Sequence, residues 1–233
     1  MSEISLPALP ADFTQTRESM HRLAEGVIKV AREHVTGEFS LIRTPGGFGT
    51  PPFGGDNQVR VDGVELVVRE NGEERRGPIS TLPAAAELVG PTLLPGNLEL
   101  GDDPLGIDAA AANALAASYA VGELALEQLV ENAAADDAAT APTLWPEHFD
   151  IAIEMGPEAD GLRVNYGLSP GDEHHAEPYF YVGPWTARPE GELWNASGFP
   201  GAELPYGDLA AARDPVDLAV EFALKRKRAL EAR

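Results

Sequence analysis

Apolar and polar residues alternate with a period of two along two neighbouring stretches. Phe149, Ile151, Ile153 and Met155 are interleaved with Asp150, Ala152 and Glu154, and Leu162, Val164, Tyr166 and Leu168 with Arg163, Asn165 and Gly167. That period marks strands with one buried face. With GPEADG (156–161) as the loop, Met155 is expected opposite Leu162, Ile153 opposite Val164, Ile151 opposite Tyr166 and Phe149 opposite Leu168. Every apolar residue then falls on one face. The same register sets Glu154 against Arg163 and His148 against Ser169. EPYFYVGPW (177–185) supplies a third strand, completing a meander.

A second strand cluster lies earlier. Glu38–Thr44 reads as a strand and is followed by the glycine-rich TPGGFGTPPFGG (44–55), expected to tuck Phe48 and Phe53 against a sheet. VRVDGVELVV (59–68) predicts a hairpin about a type-I′ Asp62-Gly63 turn, with Val61 facing Val64, Val59 facing Leu66 and Arg60 meeting Glu65.

Periods near 3.6 predict three main helices. Residues 14–34 place Leu23, Val27, Val30, Ala31 and His34 on one stripe. Asp103-Pro104 opens an Ala-rich helix ending near Asn132, with Leu115, Tyr119, Gly122, Leu126, Leu129 and Val130 inward. Asp214-Pro215 opens another that runs to about Leu230. Thr81–Val89 suits a shorter helix, and NAAADDAATAPT (132–143) a flexible connector. Strand clusters joined by hairpins, alternating with helices, predict an α+β fold of antiparallel sheet packed with three main helices. One domain over 1–233 is expected, with lobes 13–95 and 143–233 joined by the helix 104–132 and the connector 133–142.

Charge narrows the functional classes. The net charge is −21, and between Arg76 and Arg163 there are fifteen Asp and Glu but no Lys or Arg. Such a surface repels phosphate backbones, so no nucleic-acid partner is expected. The cluster Lys225, Arg226, Lys227 and Arg228 falls in the last turns of a helix, where cations complement the dipole. No apolar run approaches the length of a membrane span and no secretory signal is visible, so a cytoplasmic protein without a membrane partner is expected. Cys is absent, which removes disulfides, thiolate nucleophiles and thiolate zinc sites.

Candidate chemistry gathers at one end of the meander. The loop SPGDEHHAEP (169–178) begins where the expected register leaves His148 and Asp150, bringing Asp172, Glu173, His174, His175 and Glu177 close to them. His148 and Asp150, about 6–7 Å apart on one face, are close enough to share a metal or for a carboxylate to orient an imidazole. His148, Asp172 and Glu173 are thus the candidate catalytic residues, acting as base, ligands or acid–base partners. Asp150, Asn165, Ser169, Glu177, Tyr179 and Tyr181 are the candidate ligand-binding residues, with Trp145 and Trp185 as further aromatic walls.

A small molecule or a divalent metal is the implied partner, and the residues leave catalytic and purely binding uses open. The alternative is a non-catalytic interaction or structural module whose acidic surface attracts a basic partner. No H-E-x-x-H spacing fixes a metal, and no cofactor is implied. The glycine-rich loop precedes a strand and lacks G-K-[ST], so it is not read as a phosphate cradle. Ser169 and Ser197 lack a nucleophile-elbow context. His21 and His34 are read as core or helix-end histidines.

LWPEHFDIAI, VNYGLSPGDE, EPYFYVGPW and GAELPYGDLAAARDPVDLAVEF resemble segments of an uncharacterised bacterial family, a domain of unknown function frequent in actinobacteria. Its members carry L-W-P-x-H-F-D, N-F-G-x-S-x-G-D-E and P-Y-F-Y-V. The likeness covers 144–222 and extends loosely to the first helix and the hairpin. It implies no activity, but His148, Asp150, Asn165, Ser169, Asp172, Glu173, Glu177, Tyr179 and Tyr181 fall within the matching segments. His174-His175 departs from the pattern, so the resemblance favours His148 with Asp172, Glu173 and Glu177.

Overall fold

Two antiparallel sheets of five strands each, with helices packed on them, give this protein an α+β fold. The computed structural model describes residues 5–172, 175–186 and 188–232. The chain divides into two compact units, Leu9–Ala116 with Leu144–Phe149, and Met1–Ala8 with Ala117–Thr143 and Asp150–Arg233.

In the first unit, the helix expected over 14–34 is split into α1 (Phe13–Leu23), a π turn (Ala24–Ile28) and α2 (Lys29–Thr36). The π turn absorbs an extra residue and re-phases the apolar stripe. Leu23, Ala24, Val27, Ile28 and Ala31 are buried, whereas Val30 is half-buried and His34 exposed. Gly37 ends the helix at φ +78°, donating its N–H to the Glu33 carbonyl at 2.8 Å.

The sheet follows in sequential order: β1 (Ile42–Thr44), β2 (Gly47–Gly49), β3 (Gln58–Asp62), β4 (Glu65–Glu70) and β5 (Glu73–Pro78). Phe48 and Phe53 are buried, as the glycine-rich loop predicts. The β3–β4 register differs from the expectation by two residues. Asp62 pairs with Glu65, Val61 with Leu66 and Val59 with Val68, so the loop is Gly63-Val64. Gly63 sits at φ +63° in the first loop position, the arrangement of a type-II′ turn.

β5 has no apolar alternation, and its signal is the Asn71-Gly72 turn before it, with φ +52° and +82°. Arg75 on β5 donates to the Leu88 and Val89 carbonyls at 2.7 and 2.6 Å, closing the end of α3 (Leu82–Val89). Thr81 caps the start of α3 by accepting from the Ala84 N–H at 3.2 Å.

α4 (Ala109–Glu131) starts later than expected. Asp108, not Asp103, is its cap, its carboxylate accepting from the Ala111 N–H at 2.9 Å. By length and composition alone α4 is long and apolar enough to cross a membrane, contrary to the sequence expectation; 56% of that stretch is buried inside the protein, as in a core helix.

The second sheet runs β10 (Ala202–Pro205), β9 (Tyr179–Pro184), β8 (Val164–Ser169), β7 (Asp150–Met155), β6 (Thr143–Trp145). α5 (Tyr206–Ala211) leads to α6 (Pro215–Glu231), which begins as expected, with Asp214 accepting from the Val216 and Asp217 N–H groups. Phe222 of α6 meets Phe180 of β9 edge-on at 6.4 Å. Two of the four residues of the basic run on this helix are used internally, while Lys225 and Arg228 are exposed. Arg226 lies over the Phe222 ring and donates to Leu193 O, and Lys227 pairs with Asp137 at 3.1 Å.

The β7–β8 register also differs by two residues. Met155 pairs with Val164, Glu154 with Asn165, Ile153 with Tyr166 and Ile151 with Leu168. The loop is longer than GPEADG because Leu162 and Arg163 leave the ladder. Leu162 folds back so tightly that a Cβ on Gly156 would lie 2.1 Å from its carbonyl oxygen. Arg163 instead donates to the carbonyls of Asp137, Ala138 and Gly156, and reaches Glu154 at 3.2 Å. A two-residue slip preserves the faces, so the apolar set still points one way. The segment 132–143 is likewise tied down rather than a loose connector: Thr140 exchanges two hydrogen bonds with the Glu154 backbone, and the Gly156 N–H donates to Asp137 O at 2.8 Å.

α4 approaches this apolar face at Gly122, where a Cβ would stand 2.7 Å from Leu168 Cβ and 3.1 Å from Ile151 Cγ2. Helix propensity alone favours Gly122→Ala by about 1 kcal/mol, whereas overpacking a rigid contact costs about 1–3 kcal/mol. The variant is therefore expected to lower the urea midpoint. A raised midpoint would show that the helix and sheet can separate without cost.

Candidate functional site

The face of the second sheet opposite Ile151, Ile153, Tyr166 and Leu168 carries Asp150 and Ala152 on β7, Gly167 and Ser169 on β8, Tyr179 and Tyr181 on β9, and Glu203 on β10. Gly167 lies directly opposite Tyr181, and Ser169 opposite Tyr179. A mid-strand glycine marks a close approach: a Cβ there would stand 2.6 Å from the Tyr181 phenol carbon and oxygen. The Tyr181 ring therefore lies across β8 in the space that Gly167 leaves, and its hydroxyl donates to the Asp150 carboxylate on β7. Asp150 is only 7% exposed. Burying a carboxylate is costly unless donors meet it, and the phenol supplies one.

A second tyrosine extends the row. Tyr179 hydrogen-bonds the Ser169 hydroxyl, and its own hydroxyl makes a long 3.5 Å contact with Asp172. The Ser169 oxygen also accepts from the Gly171 N–H at 3.1 Å. Asp172 and His175 bond reciprocally: the Asp172 N–H donates to His175 O, and the His175 N–H to Asp172 Oδ1. The His175 ring packs on Tyr179 at 4.5 Å, with Nδ1–H donating to Glu177 O at 2.9 Å. Phe199 closes the far side, edge-on to Tyr181 at 6.2 Å. The Asn195 amide bonds both backbone groups of Glu203, satisfying the outer edge of β10.

Both phenols hold their protons strongly. Burial pushes Tyr181 well above the usual 10.0, and the charge of Asp150 and the hydrogen bond to it push further the same way. Burial also raises Tyr179; Ser169 opposes this, while Asp172, Glu203 and Asp150 add to it. At neutral pH the row is thus two neutral phenol donors among carboxylate acceptors.

The structure brings together Asp150, Ser169, Asp172, Tyr179 and Tyr181. Asn165 is on the same face, but its Oδ1 accepts from Trp185 Nε1 at 2.6 Å. Glu177 is exposed and contributes its carbonyl to His175. Glu173 and His174 lie outside the described residues. His148 requires a correction: it is not part of β7 and has no pairing with Ser169. Phe149 takes φ +56° and turns the chain immediately before the strand begins at Asp150. His148 belongs to the unit containing Leu144–Phe149, and Asp150 and Asp172 belong to the other.

Among the described residues no group of three His, Asp or Glu is arranged to hold a metal ion. The sequence reading missed Gly167, Phe199 and Glu203 as parts of this row. Gly167 alone had a readable signal, a glycine interrupting an otherwise regular strand. Comparison of the chain with protein-family models, with curated proteins and with solved structures finds no match.

The raised phenols fix a pH dependence. A folded-state pKa above the unfolded value contributes stability that is fully present below about pH 10 and is lost as the pH climbs through the folded value. Tyr166, Tyr179, Tyr181 and Tyr206 are all raised, Tyr206 to about 12, and they are four of the five tyrosines. Near pH 10.5 the tyrosinate absorbance of the native protein is expected to stay well below that of the urea-unfolded chain, and equal absorbance would contradict the burial argument. Gly167→Ala displaces the Tyr181 ring, so it is expected to lower stability by about 1–3 kcal/mol by overpacking. An unchanged unfolding midpoint would mean that the ring does not rest there.

Proposed function

We propose that this is a small-molecule-binding protein whose ligand sits on the tyrosine row of the second sheet. The ligand class is a compact organic cation, an amine or guanidinium compound. The observation carrying this reading is the Tyr181–Asp150 pair, a carboxylate held buried among aromatic rings by a phenol donor. Asp172 and Glu203 stand beside Tyr179 and add acceptors, and the rings of Tyr179, Tyr181 and Phe199 offer π faces to a cation. The tyrosines act as donors and floor; with their protons so tightly held, neither serves as a general base near neutral pH. The row binds and orients, and this reading includes no catalytic step. A cytoplasmic setting and membership of the actinobacterial family that 144–222 resembles belong to the same proposal.

A thermal-shift panel of primary amines and guanidinium compounds, set against carboxylic acids of similar size, tests it. Ligand at ten times its Kd stabilises by about 1.4 kcal/mol, which raises the melting temperature by a few degrees. At least one cation is expected to do so. Asp172→Asn, an exposed change, should weaken that response while leaving the unliganded melting temperature unchanged. Stabilisation by acids alone, or a response indifferent to both Asp172→Asn and Tyr179→Phe, would remove the proposal.

A further inference from the structure

In the unit formed by Leu9–Ala116 and Leu144–Phe149, two aromatic side chains are held out of the core side by side. Phe39 is 37% and Trp145 38% exposed, with ring centroids 6.2 Å apart. They flank a two-residue antiparallel bridge, Leu41 to Leu144, whose own side chains are fully buried. Val35, 40% exposed, ends α2 just before this segment. Isolated exposed apolar residues are ordinary; here two large rings are exposed side by side and form a small apolar patch.

The surrounding chain fixes both rings in place. Arg32 of α2 donates to the carbonyl and the hydroxyl of Ser40, next to Phe39. On the other arm, His21 donates Nε2–H to Pro146 O at 2.8 Å and stacks flat on Phe149, which Phe48 meets edge-on. Phe149 is held at φ +56°, an uncommon conformation for a bulky residue. Lys29, immediately after the π turn, pairs with Glu25 at 3.0 Å and reaches Glu147 at 3.8 Å.

The rim of this patch is acidic. Glu38 and Glu147 adjoin the two rings along the chain, and Glu25 and Glu33 act with Glu147 on Lys29. The cations in the same segment are Lys29, paired with Glu25 and Glu147, and Arg32, held by the neutral Ser40; four carboxylates against these two cations leave the segment net acidic. Within a chain of net charge −21, an apolar centre with carboxylates around it matches a positively charged counterpart. The face of Trp145 suits a guanidinium or ammonium, and the neighbouring carboxylates pair its charge.

We infer that the Phe39–Trp145 patch is a docking surface for a basic peptide segment of a partner protein, with an apolar anchor between Lys or Arg residues. This patch shares no residue with the tyrosine row and does not depend on the small-molecule reading.

The test is fluorescence anisotropy with a fluorescein-labelled peptide of about twelve residues, half of them Lys or Arg, with a central Leu-Trp anchor. Two comparison peptides replace the basic residues with Glu or the anchor with Gly-Gly. The native protein is expected to bind the first peptide alone, more weakly as salt rises from about 0.05 to 0.3 M. Trp145→Ala should weaken binding at least tenfold and Glu147→Gln about threefold. Glu158→Gln and Val64→Ala, changes at exposed residues that belong to neither the ring pair nor its carboxylates, should leave it unchanged. Circular dichroism of each variant checks folding, and Glu147→Gln keeps the test open if Trp145→Ala is unstable. Equal loss with Glu158→Gln, equal binding of the Gly-Gly peptide, or no effect of either patch variant would overturn the inference.

Discussion

The arrangement of the second sheet turns on one contact: a phenol ring resting on a glycine so that its hydroxyl meets a buried carboxylate two strands away. Any side chain at position 167 would lift the Tyr181 ring and take its donor from Asp150. Asp150 would then be a buried acceptor deprived of that donor, a loss that typically costs more than a hydrogen bond contributes. The contact also ties three strands together at one level, because β7 supplies the acceptor, β8 the gap and β9 the donor. Ser169, Tyr179 and Asp172 then follow one register step along.

Parity was legible in the sequence, and register was not. Alternation assigned Ile151, Ile153, Val164, Tyr166 and Leu168 to the buried face, and all are buried. Both hairpins nevertheless slipped by two residues from their expected pairing, since a shift of two leaves every face unchanged. The choice between such registers lies in loop chemistry. Gly63 occupies the first rather than the second turn position, and Arg163 is drawn from its strand to three carbonyls. Neither preference can be read from hydrophobic pattern. Similarly, the sequence pattern placed the start of α4 at Asp103-Pro104, whereas the helix is capped by Asp108, whose carboxylate accepts from the Ala111 N–H.

The candidate site was legible in outline. The expectation was that Asp172, Glu173, His174, His175 and Glu177 gather near His148 and Asp150 at one end of the meander, over Tyr179 and Tyr181. Face parity, which the slip left intact, carries the Asp150, Ser169, Tyr179 and Tyr181 part of it. His148 lay beyond the reach of that argument. A non-glycine residue at positive φ, Phe149, ends the alternation one residue before the strand, and nothing in the local pattern marks it. Packing accounts for it: the Phe149 ring stacks on His21 and is met edge-on by Phe48. The acidity noted in the sequence takes on local meaning in two places, beside the tyrosine row and around the Phe39–Trp145 pair. Each joins carboxylates to aromatic faces, a combination suited to positive charge.

A double-mutant cycle on Tyr181→Phe and Asp150→Asn, read by urea unfolding, bears most directly on this account. If the phenol and the carboxylate stabilise each other across Gly167, the two changes will be coupled by about 1 kcal/mol or more, beyond the roughly 0.3–0.5 kcal/mol within which independent sites add. Strict additivity would contradict it, since the two groups would then share a sheet face without interacting.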